Sequence, residues 1–145
     1  MSKQPLKIKR VHPDAVIPHY ATQGAACFDL YATSARKVTK DGGTATFDTG
    51  LVFEIPEGHV LLIYSRSGHG FKNTLRLVNC VGVVDSDYRG QVAVKIINDS
   101  PLDFSFAKGD RIAQAMLVPI PRVEFIEVQE LSDTERGKGG FGSTG

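Results

Sequence analysis

The chain carries three stretches whose residue types and spacing could do chemistry. The first is Gly82-Val83-Val84-Asp85-Ser86-Asp87-Tyr88-Arg89-Gly90. Asp, Ser and Gly favour turns, yet Asp85 and Asp87 follow directly on the apolar run 81–84, which would draw them toward a shielded place. A carboxylate held there could act as a general base. The plainer alternative is a hairpin whose aspartates face water. The second stretch is Ser65-Arg66-Ser67-Gly68-His69-Gly70, directly after an apolar run. Arg66 offers a charge-assisted donor fork, Ser67 a hydroxyl and Gly68 an unobstructed backbone, a set that suits an anion. The same residues also describe a surface loop with a solvated arginine. The third is Arg136-Gly137-Lys138-Gly139-Gly140-Phe141-Gly142-Ser143-Thr144-Gly145, too rich in glycine to build a core. It reads either as a frayed terminus or as a lid, in which glycine N–H groups approach phosphate oxygens and Phe141 lies flat on an aromatic base. It lacks the strand-to-helix context of a Walker or Rossmann loop.

Outside these stretches, Asp29 is a lone acid among the small and apolar residues of Gly24-Ala25-Ala26-Cys27-Phe28-Asp29-Leu30-Tyr31-Ala32. His69 has no serine or cysteine nucleophile in a recognisable motif beside it and reads as a loop histidine. His12, His19 and His59 are scattered and lack metal-ligand spacing.

The elements that must position these groups read as strands. Residues 75–81 and 91–97 flank the first stretch and are rich in branched apolar residues, which makes residues 82–90 the polar tip between two strands. Residues 8–11, 36–39, 44–48, 51–53, 59–64, 111–118 and 122–128 are further strand-sized runs. Lys40-Asp41-Gly42-Gly43 and Ile55-Pro56-Glu57-Gly58 read as hairpin turns between their neighbours. No long period-3.6 pattern is present, leaving room for one short helix around residues 67–72. The expected fold is all-β, a jelly-roll-like barrel or sandwich, with residues 1–135 as the β domain and 136–145 as a flexible glycine-rich arm.

Composition sets the outer limits. A chain of 145 residues with 41% hydrophobic and 23% charged residues suits one domain with a real core. The polar opening segment has no signal-peptide core, and no apolar run reaches the roughly 20 residues of a membrane span, so a cytoplasmic protein is expected. Two cysteines, Cys27 and Cys80, are then expected to stay reduced, and without clustered histidines they make no zinc site. A net charge of +1 argues against binding long nucleic acid, while a few arginines could still meet a small polyanion.

Taken in order, these segments resemble the homotrimeric dUTPases, all five of whose motifs can be placed here. The first is similar to Ala25-Ala26-Cys27-Phe28-Asp29-Leu30-Tyr31-Ala32 and the second to Ser65-Arg66-Ser67-Gly68. The third runs from Asn79 to Gly90, the fourth is similar to Arg111-Ile112-Ala113-Gln114-Ala115-Met116-Leu117, and the fifth to Arg136 through Ser143. The third and fifth are the specific ones. Ser65 stands where a proline is frequent, and Lys138 where an acid is common.

The resemblance implies hydrolysis of dUTP to dUMP and pyrophosphate, which limits uracil in DNA and supplies dUMP for dTMP synthesis. Asp85 matches the catalytic aspartate that orients and deprotonates water behind the α-phosphorus. Mg²⁺ is implied on the phosphates, held through water by Asp29. Arg66, Ser67, Gly68, Gln114, Arg136, Gly142 and Ser143 are implied phosphate contacts. Arg111 has two open roles, supporting Asp85 or a neighbour. Asn79 and Gly82 are implied at the uracil, Tyr88 beneath the deoxyribose and Phe141 over the base. The implied assembly is a homotrimer with shared sites, the tail reaching over from another protomer, with dUTP as the small-molecule partner and neither nucleic acid nor membrane. The competing readings are a dCTP deaminase of the same fold and a non-enzymatic jelly-roll module with a nucleotide pocket.

Overall fold

Short apolar runs broken by glycine and proline favour strands over helices, and a computed structural model describes residues 2–145 as strands joined by turns, with one short helix. In chain order the strands are β1 (Lys7–Arg10), β2 (Phe28–Tyr31), β3 (Arg36–Val38), β4 (Gly43–Asp48), β5 (Leu51–Glu54) and β6 (His59–Tyr64). Helix α1 (Ser67–Asn73) follows, then β7 (Leu75–Leu77), β8 (Val81–Val84), β9 (Ala93–Asn98), β10 (Phe104–Phe106) and β11 (Arg111–Pro119). One sheet has the order β2-β11-β6-β8 and a second β4-β9-β7, while β1 pairs with β5 and β3 with β10. Every pairing is antiparallel, giving the expected all-β jelly-roll architecture.

Alternation builds the core. Phe28 and Leu30 of β2, Leu61 and Ile63 of β6, Val94 and Ile96 of β9 and Ile112 of β11 are buried in one cluster with Phe47, Phe53 and Phe106. Each such side chain contributes about 1.5–3 kcal/mol by leaving water. The same alternation turns Asp29, Gln114, Tyr64 and Val81 away from the core. The register aligns them in a single row across four strands: Asp29 opposite Gln114, Gln114 opposite Tyr64, Tyr64 opposite Val81.

Asn98 is a polar residue inside the core, fully buried at the end of the central strand β9. Its Nδ2 donates to the carbonyls of Val38 at 3.0 Å and Leu102 at 2.8 Å, and its Oδ1 accepts from the Ser100 N–H at 3.0 Å. It thus ties β9 to β3 and to the turn after it. Asn98→Ala strands these groups without partners and is expected to cost about 3 kcal/mol, read as a lower urea midpoint at unchanged slope. A loss below about 1 kcal/mol would show that the polar knot is not what holds this corner.

Several expectations need correction. The run 75–81 is not one strand: the chain turns at residues 78–80, and β8 leaves β7 to pair with β6 instead. Turns exist at 40–42 and 57–58, within the expected 40–43 and 55–58, but β3 and β4 take their partners from β10 and β9, and β5 and β6 from β1 and β11. Turn chemistry records where the chain bends, not which strand it meets next. Strand β10 replaces what reads as connecting sequence. Residues 122–128 are not a strand: among the described residues no strand pairs with them to complete a ladder.

Candidate active site

Asp29 is the best-shielded carboxylate among the candidates, its side chain 13% exposed. Arg66 Nε donates to Asp29 Oδ1 at 2.8 Å, and Arg111 Nη1 stands 3.8 Å from Oδ2. The carboxylate beside Arg111 is thus that of Asp29. A register shift between Arg111 and Ala113 on β11 sits beside this cluster, the kind of irregularity that re-aims a side chain. Around it a polar lattice fixes the segment that carries Arg66. Gln114 Nε2 donates to the Ser65 carbonyl at 3.0 Å, and Ser65 Oγ accepts from the Leu77 N–H at 2.9 Å. A proline at position 65 has no hydroxyl to take that N–H, so the serine adds a tether from the loop to β7. An amide carries two N–H donors and a guanidinium five, so Gln114 and Arg66 keep donors for an anion while holding the frame.

Ser67 and Gly68 open α1, whose N-cap residue is Arg66. His69 is not a free loop histidine. Its Nε2 lies 2.8 Å from the Arg111 carbonyl, and its ring packs edge-on against Phe104 and Phe106. Nothing local announces this contact, since the partner carbonyl lies far along the chain.

The β7–β8 turn builds a different feature. Val78, Asn79 and Gly82 on one side and Ala93, Val94 and Lys95 on the other, with Ile63 and Leu77 below, enclose a cavity of about 270 Å³. The Val78 N–H donates to the Lys95 carbonyl at 2.9 Å and ties the turn to β9. Gly82 is confined: a Cβ there would stand 3.1 Å from Ile63 Cβ. Tyr88 folds its ring over Gly90, where any Cβ would collide with it, and its hydroxyl donates to the Gln91 carbonyl at 3.3 Å.

Asp85 and Asp87 are exposed, so the reading in which the aspartates face water holds and the one in which the apolar run shields them does not. The outward residues of β8, Val81 and Val83, are themselves exposed, so this run offers no shelter within one chain. Asp85 instead lines an open cleft of about 550 Å³ with Ser86, Asp87, Arg89, Glu57 and Arg122.

The tail stands apart from all three places. Arg136 Nε donates to the Gly139 carbonyl at 2.8 Å, and the Ser143 N–H donates to the Gly140 carbonyl at 3.1 Å. Phe141, at φ 51°, and Gly142, at φ 88°, take the left-handed region, and the Phe141 ring is fully exposed. Cys27 and Cys80 are both free thiols. Burial, and after it the Asp29 carboxylate, pushes the Cys27 thiol up from its ordinary value.

The structure thus joins Asp29 with Arg66, Ser65, Gln114 and Arg111. It joins Asn79 with Gly82, and leaves Asp85, Tyr88, Arg136, Phe141 and Ser143 away from these two groups.

Comparison with known proteins places this geometry. The family model for dUTPase matches residues 13–145. A deoxyuridine 5'-triphosphate nucleotidohydrolase of Nautilia profundicola is 49% identical over 140 residues, covering 97% of this chain and 98% of that protein. The enzyme of the same name from Helicobacter pylori is 40% identical, covering 97% of this chain and 96% of that one. Among solved structures, the dUTPase of Staphylococcus bacteriophage 80alpha with dUpNHpp superposes with a TM-score of 0.90 at 28% identity, covering 99% of each chain.

Proposed function

The chain belongs to the dUTPase family, and from that footing we propose that it is an enzyme hydrolysing dUTP to dUMP and pyrophosphate by in-line attack of water on the α-phosphate. The observation that carries the reading is the continuity of one short strand. Gly82 of β8 lines the cavity beside Asn79, and Asp85 stands one residue past the end of that strand. A base seated in the cavity brings its own phosphates toward that end. Backbone donors and acceptors with the Asn79 amide then read the pyrimidine edge, and cytosine leaves a buried polar mismatch costing about 1–3 kcal/mol per group. Tyr88 packs under the deoxyribose. Asp85 orients and deprotonates the water, help worth about 10²–10⁴ in rate. Arg66, Ser67, Gly68 and Gln114, with Arg136, Gly142 and Ser143 of the tail, hold the phosphates, and Phe141 covers the base.

For the metal, the donor set supports one mode of binding. Both Asp29 oxygens face guanidinium groups, and among the described residues no three His, Cys, Asp or Glu side chains cluster as a metal cage. Mg²⁺ retains waters and rides on substrate phosphates, so Asp29 fits as a partner reached through water. When bound, the ion offsets phosphate charge. Asp29 also fixes Arg66 and Arg111 toward the same phosphates.

We place the working enzyme in a homotrimer with shared sites. Phe125 is 93% and Ile126 72% exposed in the single chain, an apolar strip that calls for a partner surface. A groove of about 470 Å³ lined by Leu6, Ile8, Tyr20, Phe28 and Leu117 offers one on a second copy. The distribution of candidate groups over separate regions of one chain fits the same arrangement. The proposed compartment is the cytoplasm, where free thiols such as Cys27 and Cys80 persist. Among the described residues no helix is long and apolar enough to cross a membrane.

Incubation with dUTP, dCTP, dTTP and UTP in Mg²⁺ tests the activity. Pyrophosphate from dUTP alone is expected. Ammonia from dCTP would make the chain a deaminase, and silence with all four a binding module.

A further inference from the structure

Helix α1 has little to hold it in place. It buries none of its residues, its N-cap Arg66 makes no side-chain capping bond, and it stops at Thr74, held at φ 55°. Yet the residues proposed to meet the phosphates, Arg66, Ser67 and Gly68, are its first turn and the residue before it. Of the side chains on α1 itself, His69 is the one that bonds to the sheet. A carbonyl only accepts, so the 2.8 Å contact with the Arg111 carbonyl puts the proton on Nε2. The ring is wedged against Phe106, centroids 5.0 Å apart at 68°, and Phe104, 5.8 Å apart at 78°. A gap of only about 10 Å³ remains between His69 and Ser65, Arg66 and Ile112.

These contacts close a circuit. Arg66 grips Asp29, Asp29 faces Arg111, the Arg111 backbone receives His69, and His69 sits on the helix that Arg66 begins. We infer that His69 is a positioning residue for the phosphate end of the site, pinning α1 to β11 so that the Arg66–Asp29 pair and the Ser67 and Gly68 donors keep one fixed spacing. The inference rests on the proposed dUTP hydrolysis.

Two variants separate positioning from mere packing. His69→Phe keeps a ring for Phe104 and Phe106 and removes the N–H, whereas His69→Gln loses the ring and retains an amide N–H of similar reach. His69→Phe is expected to raise KM for dUTP about fivefold, the loss of roughly one hydrogen bond's effect. Inhibition by dUMP, which lacks the two outer phosphates, should move less than about twofold, and Tm should hold, while His69→Gln recovers most of the KM. A His69→Phe enzyme with wild-type KM overturns the inference. So does a variant in which KM rises, dUMP inhibition weakens and Tm falls together, or a glutamine that rescues nothing. Pyrophosphate release by the unmodified chain is read in the same assay, so a failure of the hydrolase reading appears there, and a failure of the His69 role appears in the ratio of variant to wild type.

Discussion

Asp85→Asn should lower kcat on dUTP by about 10²–10⁴, or about 3–5 kcal/mol of barrier, while binding of a non-hydrolysable analogue stays near wild type. The substitution keeps the shape of the side chain and removes its basicity. Asp85 joins its turn through the backbone, its carbonyl accepting from the Tyr88 N–H at 3.2 Å, and its side chain is exposed. Stability should therefore change by less than about 0.5 kcal/mol, and the loss will be chemical. Stopped-flow turnover beside analogue titration makes the measurement. A rate within threefold of wild type would exclude Asp85 as the base. A raised KM at unchanged kcat would make it a binding group instead.

Removing residues 136–145 should cut kcat/KM by at least about 10²-fold, because donors that close over the phosphates and the Phe141 cover go together. The hydrogen bonds described for this arm begin and end within residues 134–145, so thermal unfolding should be unchanged. A large drop in Tm would make the arm part of the fold. Mixing gives a sharper result. The truncated chain retains Asp85, and the Asp85→Asn chain retains its arm. Co-refolded, the two should regain a fraction of the activity that neither has alone, since an intact arm can then close over an intact carboxylate. No recovery would mean that each chain serves only its own site.

The type of nearly every element could be read from the chain. Turn residues and β-branched runs located β4 through β6, β9 and β11, and the lack of 3.6 periodicity limited the helix to the neighbourhood of Ser67–Asn73. Pairing was not legible, because alternation fixes which face a strand buries and is silent on its neighbour. Residues 75–81 show why. Their branched apolar residues hide a turn held by local backbone bonds, such as the Cys80 N–H to the Leu77 carbonyl at 3.1 Å. The candidate site divides in the same way. Asp29, Arg66 and Asp85 stood out by residue type. The bracket around Asp29, the Ser65 tether and the His69 link depend on contacts between distant strands, for which local sequence carries no signal. The exposure of Asp85 stayed open between two readings, because an apolar run shields a neighbour only when its outward residues have something to lie against.

The arrangement of β2 beside β11 sets an order of events at the ribosome. Asp29 emerges early, yet Gln114 and Arg111, which flank it in the finished sheet, are synthesised most of a chain length later. Such non-local pairing slows folding and leaves strand edges open while translation continues. The cluster around Asp29 is therefore among the last parts of the molecule to mature, and a nascent chain stalled before β11 holds its acid with neither flanking strand residue in place.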